Sequence, residues 1–126
     1  MTELTRSTVL VVDDDRRVRD LVRLALEEEG FAVTTAADGD EAIALASAER
    51  PGLLVLDLTL PRADGFAVAE AMRQAHGDAL PIVVVTADGS PAEKARRIGA
   101  VGFLRKPFDV DELTELVGHH LPDRSA

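Results

Sequence analysis

Apolar and polar positions follow two rhythms along this chain. Short apolar runs recur at Val9 to Val12, Phe31 to Thr35, Leu53 to Leu56, Pro81 to Val85 and Val101 to Leu104, and each has a strand's length. Between them lie helical stripes. Val18, Leu21, Val22, Ala25 and Leu26 keep an i, i+3, i+4, i+7, i+8 spacing that Gly30 ends. Ala42, Ile43 and Ala46 mark a second helix, and Val68 and Met72 a third behind the Pro61 to Gly65 loop. Ser90-Pro91-Ala92-Glu93 reads as the start of a fourth, with an N-cap hydroxyl, a first-turn proline and a capping-box glutamate. Val110, Leu113, Leu116, Val117 and Leu121 form the stripe of the last helix, which Asp109 and Glu112 cap in the same way. Runs that are apolar without strict alternation predict strands covered on both faces. Five such strands alternating with five helices predict an α/β fold with a doubly wound parallel sheet.

Composition narrows the function classes. A chain of 126 residues with 46% hydrophobic content suits one domain with a normal core, and no repeat or low-complexity segment divides it. The stretch from His119 to Ala126 reads as no more than a frayed end. No apolar run is long enough to span a bilayer, and MTELTRST lacks the basic-then-apolar pattern of a signal peptide, so a cytoplasmic protein is expected. The absence of cysteine removes disulfides, thiolate zinc sites and cysteine nucleophiles. A net charge of −9 would repel nucleic-acid phosphates, which points to proteins or cations as partners.

Open parallel sheets bind ligands at the carboxyl ends of their strands. The residues just past those ends are Asp13, Asp14 and Asp15 after the first strand, Asp57 after the third, Thr86 and Ala87 after the fourth, and Lys106 and Pro107 after the fifth. Gathered carboxylates need neutralising. Magnesium suits the case, because it takes one or two carboxylates and keeps positions for water or phosphate oxygens. A carboxylate beside such an ion can attack phosphorus and become an acyl phosphate, while a lysine and a hydroxyl hold the other phosphoryl oxygens. Asp57 stands alone at a central strand end and is the candidate nucleophile. Asp15 is expected to cap the first helix, and His76, His119 and His120 read as solvated helix residues.

Four blocks carry a family likeness: VLVVDDDRRVRDLV, LLVLDLTLPRADGF, PIVVVTA and FLRKPF resemble, in order, the signature blocks of the receiver domain of two-component response regulators. The likeness runs from about Thr8 to Leu121, so one receiver domain would occupy residues 1–126 with its core at about 8–121. It implies a flavodoxin-like sheet in the order 2-1-3-4-5. It also implies roles. Asp57 would be the phosphoacceptor and a metal ligand. Asp14 would ligate magnesium, or manganese in its place, with Asp13 ordering a ligand water or adding charge, and the Thr59 carbonyl would complete the coordination. Lys106 would pair with Asp57 and later bind the phosphoryl group. Thr86 would be the switch hydroxyl, and Phe103 stands where the switch aromatic sits, although a core phenylalanine is an equal reading there. Lys106-Pro107 would be a cis peptide. Thr59 and Asp88 would flank the path of the hydrolytic water and tune the lifetime of the acyl phosphate.

The implied donor is a phosphohistidine on a sensor histidine kinase or a phosphotransfer protein. It would dock on the first helix, with Arg16, Arg17 and Arg19 at the rim, and on the loop near Pro107. The output would lie in a downstream protein or a linked domain outside this chain, with no direct nucleic-acid or membrane contact. A phosphorylation-dependent homodimer is a further expectation, weakened because Gly99 to Phe103 lacks the acidic pair of the winged-helix regulators. Such a chain is no enzyme beyond its own phosphorylation and dephosphorylation. Two rivals stand beside this reading: a magnesium-dependent aspartyl-phosphate phosphatase or phosphotransferase, whose nucleophile would follow the first strand, and a non-phosphorylated interaction module on the same fold.

Overall fold

Successive residues of a strand point to opposite faces, so a strand apolar at every position must be covered twice. The computed structural model, which describes residues 8–60, 65–77, 79–87 and 89–121, does this with strands and helices in strict alternation. They are β1 (Thr8–Val12), α1 (Arg16–Glu28), β2 (Ala32–Ala36), α2 (Gly39–Ala48), β3 (Leu53–Asp57), α3 (Gly65–His76), β4 (Ile82–Thr86), α4 (Pro91–Ile98), β5 (Gly102–Arg105) and α5 (Val110–His120). All strand pairs are parallel, in the order β2-β1-β3-β4-β5. This is the doubly wound, flavodoxin-like sheet.

Strand parity divides the core. Leu10, Val12, Leu54, Leu56, Ile82 and Val84 meet Ala42, Ala46, Val68, Met72 and Ala95 from α2, α3 and α4. Val9, Val11, Leu53, Val55, Val83 and Val85 meet Val22, Leu26, Leu113 and Val117 from α1 and α5. Each fully buried Val, Leu or Ile contributes about 1.5–3 kcal/mol, so these two layers fix the sheet and hence the edge where its strands end. Among the described residues no helix is long and apolar enough to cross a membrane.

Several expectations need correction. Phe31, Pro81 and Val101 lie just before the ladder, whereas Asp57 and Thr86 lie inside it, paired with Val85 and Arg105. Side-chain polarity reports burial, but pairing belongs to the backbone, and the two frames differ by a residue. In the helical stripes, Leu21 is 54% exposed and Ile43 is 37% exposed, while Leu45 packs on the core instead. Ser90 adopts a left-handed conformation (φ 60°, ψ 48°) and its side chain makes no cap hydrogen bond, so α4 opens on Pro91 alone. An N-cap works from the extended region, which Ser90 does not occupy. His76 is not a solvated residue: its Nε2 is buried without a hydrogen-bond partner among the described residues. His119 and His120 pack edge to face, 4.8 Å apart.

The other caps behave as local chemistry dictates. Asp15 Oδ1 accepts from Arg17 N at 2.9 Å, as expected of a cap on α1. Asp109 Oδ1 takes Asp111 N at 2.9 Å, while Glu112 N goes to the Asp109 carbonyl. On α2, Asp38 Oδ1 accepts from Glu41 N (2.8 Å) and Glu41 Oε1 accepts from Ala37 N (2.7 Å), a reciprocal pair. α4 is held differently. It buries only Ala95, and Arg73 of α3 reaches across to its C-terminal end, donating to the carbonyls of Ile98 (3.3 Å) and Gly99 (2.9 Å) as well as Leu80 (3.2 Å). A cation at a helix C-terminus is favourable. Arg97 stacks on the Phe66 ring at 4.3 Å, a second tie to α3.

Candidate functional site

At this edge the ladder runs past the ends of β1 and β5. Asp13 N donates to Ala36 O at 3.1 Å and Lys106 N donates to Thr86 O at 2.9 Å, so pairing extends one residue beyond β1 and β5. Alternation then continues: Asp13 follows Val9 and Val11, Asp57 follows Leu53 and Val55, and Lys106 follows Leu104, all with the parity of the α1 and α5 layer. Three charged side chains therefore converge at the carboxyl end of the sheet.

Their contacts are short. Lys106 Nζ lies 2.9 Å from Asp13 Oδ2 and 3.0 Å from Asp57 Oδ2. Asp57 and Asp13 are almost completely buried, at 1% and 3% exposure. The other oxygen of Asp57, Oδ1, accepts from Thr59 N (2.9 Å) and Thr59 Oγ1 (2.7 Å). Asp13 Oδ1 accepts from Asp15 N (2.9 Å), and the Asp13 carbonyl accepts from Arg19 Nη1 (2.9 Å). Asp14 is exposed, yet carboxylate oxygens of Asp13, Asp14 and Asp57 all lie within 4.8 Å of one another. Gly65 lets α3 begin this close to the acceptor strand, since a Cβ there would sit 2.8 Å from the Leu58 Cα.

Burial and neighbouring charges act together on these groups. Burial pushes the Asp13 carboxyl above its ordinary 3.8, and the Asp57 charge adds to this; the Asp15 N–H and Lys106 oppose the rise without cancelling it. Burial works to lower the Lys106 ammonium, but its bonds to Asp13 and Asp57 outweigh that and hold it above 10.5. One ammonium thus pairs with two buried carboxylates, and a third carboxylate, Asp14, stands beside them. An all-oxygen donor set with excess negative charge fits a hard divalent cation, and the residues present therefore suit magnesium.

The remaining predicted residues are placed as follows. Thr86 is fully buried at the end of β4, beside Lys106 through the backbone bond above. Lys106-Pro107 is a cis peptide, as expected. Phe103 is 44% exposed on β5 and so lies outside the core. Asp88 lies outside the described residues. Arg16, 3.7 Å from Asp20, and Arg17 are on the exposed rim of α1. Arg19 is not: it turns inward to the Asp13 carbonyl, which corrects its assignment to a docking rim. Beside Lys106, an open apolar groove of about 420 Å³ runs between Val18 and Leu21 of α1 and Ala87, Pro107 and Phe108. Sequence reasoning misassigned Arg19 and missed Arg73, whose partners are backbone carbonyls that no side-chain pattern reveals. It also missed the Asp38 and Glu41 pair, whose i, i+3 spacing was a readable signal.

Comparison with known proteins agrees with this arrangement. The family model of the response regulator receiver domain matches residues 9–118. Response regulator MprA of Mycolicibacterium vanbaalenii is 45% identical over 107 residues, which make up 83% of this chain and 46% of MprA. The chain thus spans about half the length of the curated relatives it matches. Among solved structures, the chemotaxis protein CheY4 of Vibrio cholerae superposes with a TM-score of 0.84 at 35% identity, covering 93% of this chain and all of CheY4 (100%). NtrX of Brucella abortus gives 0.85 at 36% identity, covering 94% of this chain and 27% of NtrX.

Proposed function

The chain belongs to the response regulator receiver family of two-component signalling, and from that premise we propose that it is a phosphoryl switch whose acceptor is Asp57. The observation that carries this reading is the interlock of Asp57, Asp13 and Lys106, with Lys106 Nζ shared at 3.0 and 2.9 Å. Nothing in the packing of the fold calls for two buried carboxylates and one ammonium at this edge. Phosphoryl chemistry does.

A carboxylate oxygen of Asp57 attacks phosphorus and forms an acyl phosphate. The bond from phosphorus to the donor's imidazole nitrogen breaks, and that nitrogen keeps the electron pair. The donor is a phosphohistidine on a sensor histidine kinase or a phosphotransfer protein. Before transfer, Lys106 and the two Thr59 donors fix the orientation of the carboxylate. During transfer, Lys106 passes to a phosphoryl oxygen and neutralises its charge, and the Thr86 hydroxyl bonds another. Asp13, Asp14, Asp57 and the Thr59 carbonyl would hold magnesium or manganese, which supplies further positive charge to the transferring group when bound. The chain catalyses only its own phosphorylation and dephosphorylation, and Thr59 and Asp88 are the residues assigned to tune the lifetime of the acyl phosphate. An unchanged phospho-Asp57 half-life in Asp88→Ala would remove Asp88 from that role.

Phosphorylation shifts a two-state balance, read out through Thr86 and the exposed Phe103. The groove along α1 and Pro107 receives the donor protein, and a downstream protein, a linked output domain or a second phosphorylated copy receives the signal. The chain acts as a single receiver unit in the cytoplasm. The chemistry is tested with a phosphorylated histidine kinase and magnesium: the transferred phosphoryl group is expected to be released by hydroxylamine, as acyl phosphates are. A hydroxylamine-stable adduct would contradict it.

A further inference from the structure

Arg19 sits one turn into α1, where an exposed arginine would normally add only surface charge. Instead its Nη1 donates to the Asp13 carbonyl at 2.9 Å, while its own N–H donates to the Asp15 carbonyl at 3.0 Å. With that bond, every polar atom of Asp13 is engaged. Its N–H goes to Ala36 O, its carbonyl takes Arg19, its Oδ1 takes Asp15 N and its Oδ2 takes Lys106 Nζ. The acidic loop is thereby tied to β2, to α1 and to Lys106 just past β5, and the Asp14 side chain beside it is exposed.

We propose that Arg19 is a positioning residue for the cation site: it pins the Asp13–Asp14 peptide from the helix side, so that both carboxylates are presented together to the metal. The inference rests on the reading of Asp13 and Asp14 as metal ligands. Two effects of the guanidinium oppose each other. Its positive charge near a cation site weakens metal binding, whereas its hydrogen bond preorganises the ligands and strengthens binding. The bond is short and part-buried, and the charge is spread over a planar group whose nearest atom faces a carbonyl rather than a carboxylate. Preorganisation therefore dominates. A residue acting only by charge gives the opposite sign.

The test uses the full chain and two measurements. Magnesium alone is titrated calorimetrically into metal-free wild type, Arg19→Met and Arg19→Lys, and amide hydrogen exchange is followed at residues 13–15 without metal. Outer partners of metal ligands typically carry ten- to a hundredfold in affinity, so Arg19→Met should bind magnesium about tenfold more weakly, with Arg19→Lys in between. Exchange in the loop should be faster in Arg19→Met although no metal is present. Binding by Arg19→Met as tight as wild type, or tighter, overturns the proposal, as does unchanged exchange. Should Arg19→Met fail to fold, Arg19→Lys decides: weaker binding than wild type supports the role and equal binding overturns it. Failure of the wild type itself to bind magnesium would instead strike at the metal reading, and the metal-free exchange would still report on the pinning of the loop.

Discussion

The carboxyl edge of the sheet and the α4 flank are held in opposite ways. At the edge, Asp13, Asp57, Thr59 and Lys106 interlock through short bonds among buried groups, and the acidic loop is tied to β2, α1 and β5. On the flank, α4 buries only Ala95, and its C-terminal end is held through the long reach of Arg73 from α3. Next to it Phe103 and Val101 face outward, at 44% and 40% exposure. A reaction centre needs fixed geometry, and an output surface needs a low cost of movement. The proposed function would place the first at the edge and the second on the flank, two regions of one sheet joined where Lys106 N bonds to Thr86 O.

Removing Lys106 should break this contrast most severely. Lys106→Met leaves Asp13 and Asp57 buried without their ammonium, which is expected to cost about 3 kcal/mol in metal-free protein and to slow acyl-phosphate formation about a hundredfold. Chemical denaturation and single-turnover phosphorylation would measure the two. Stability equal to wild type would mean that the edge is not under electrostatic load. Magnesium should act in the reverse direction: at a hundred times its dissociation constant it is expected to stabilise wild type by about 2.7 kcal/mol. Chelation should remove that gain, as followed by thermal melting.

Arg73→Met should loosen the flank alone. Loss of a charged donor to backbone carbonyls is expected to cost about 1.5–3 kcal/mol and to speed amide exchange across α4, with magnesium affinity unchanged. If exchange at residues 13–15 rose equally, the two regions would not be separately held. Phe103→Ala should have the smallest effect, changing stability by no more than about 0.5 kcal/mol and leaving phosphorylation by a small donor intact. Its cost should appear only in binding of the downstream partner, measured by titration of the phosphorylated protein.

Much of this is legible in the amino-acid sequence. The apolar runs marked five strands covered on both faces, and the strand-end positions picked out Asp13, Asp57, Thr86 and Lys106, which the fold does bring to one edge. What stayed hidden has a common cause. Arg19 and Arg73 reach carbonyls six to twenty-six residues away, and a bond to a carbonyl leaves no trace in the identity of its partner. Ser90 misled because Ser-Pro-x-Glu describes a cap's chemistry and not its backbone conformation. Leu21 misled because a helical stripe is wider than the surface that covers it, and the excess lines the groove beside Pro107.

The central claim is that Asp57 accepts a phosphoryl group. Intact mass of wild type and Asp57→Ala, each incubated with acetyl phosphate and magnesium, tests it most directly. The account predicts one added phosphoryl group on wild type, none without magnesium, and none on Asp57→Ala. A phosphoryl adduct that persists in Asp57→Ala, or its absence from wild type under these conditions, would contradict it.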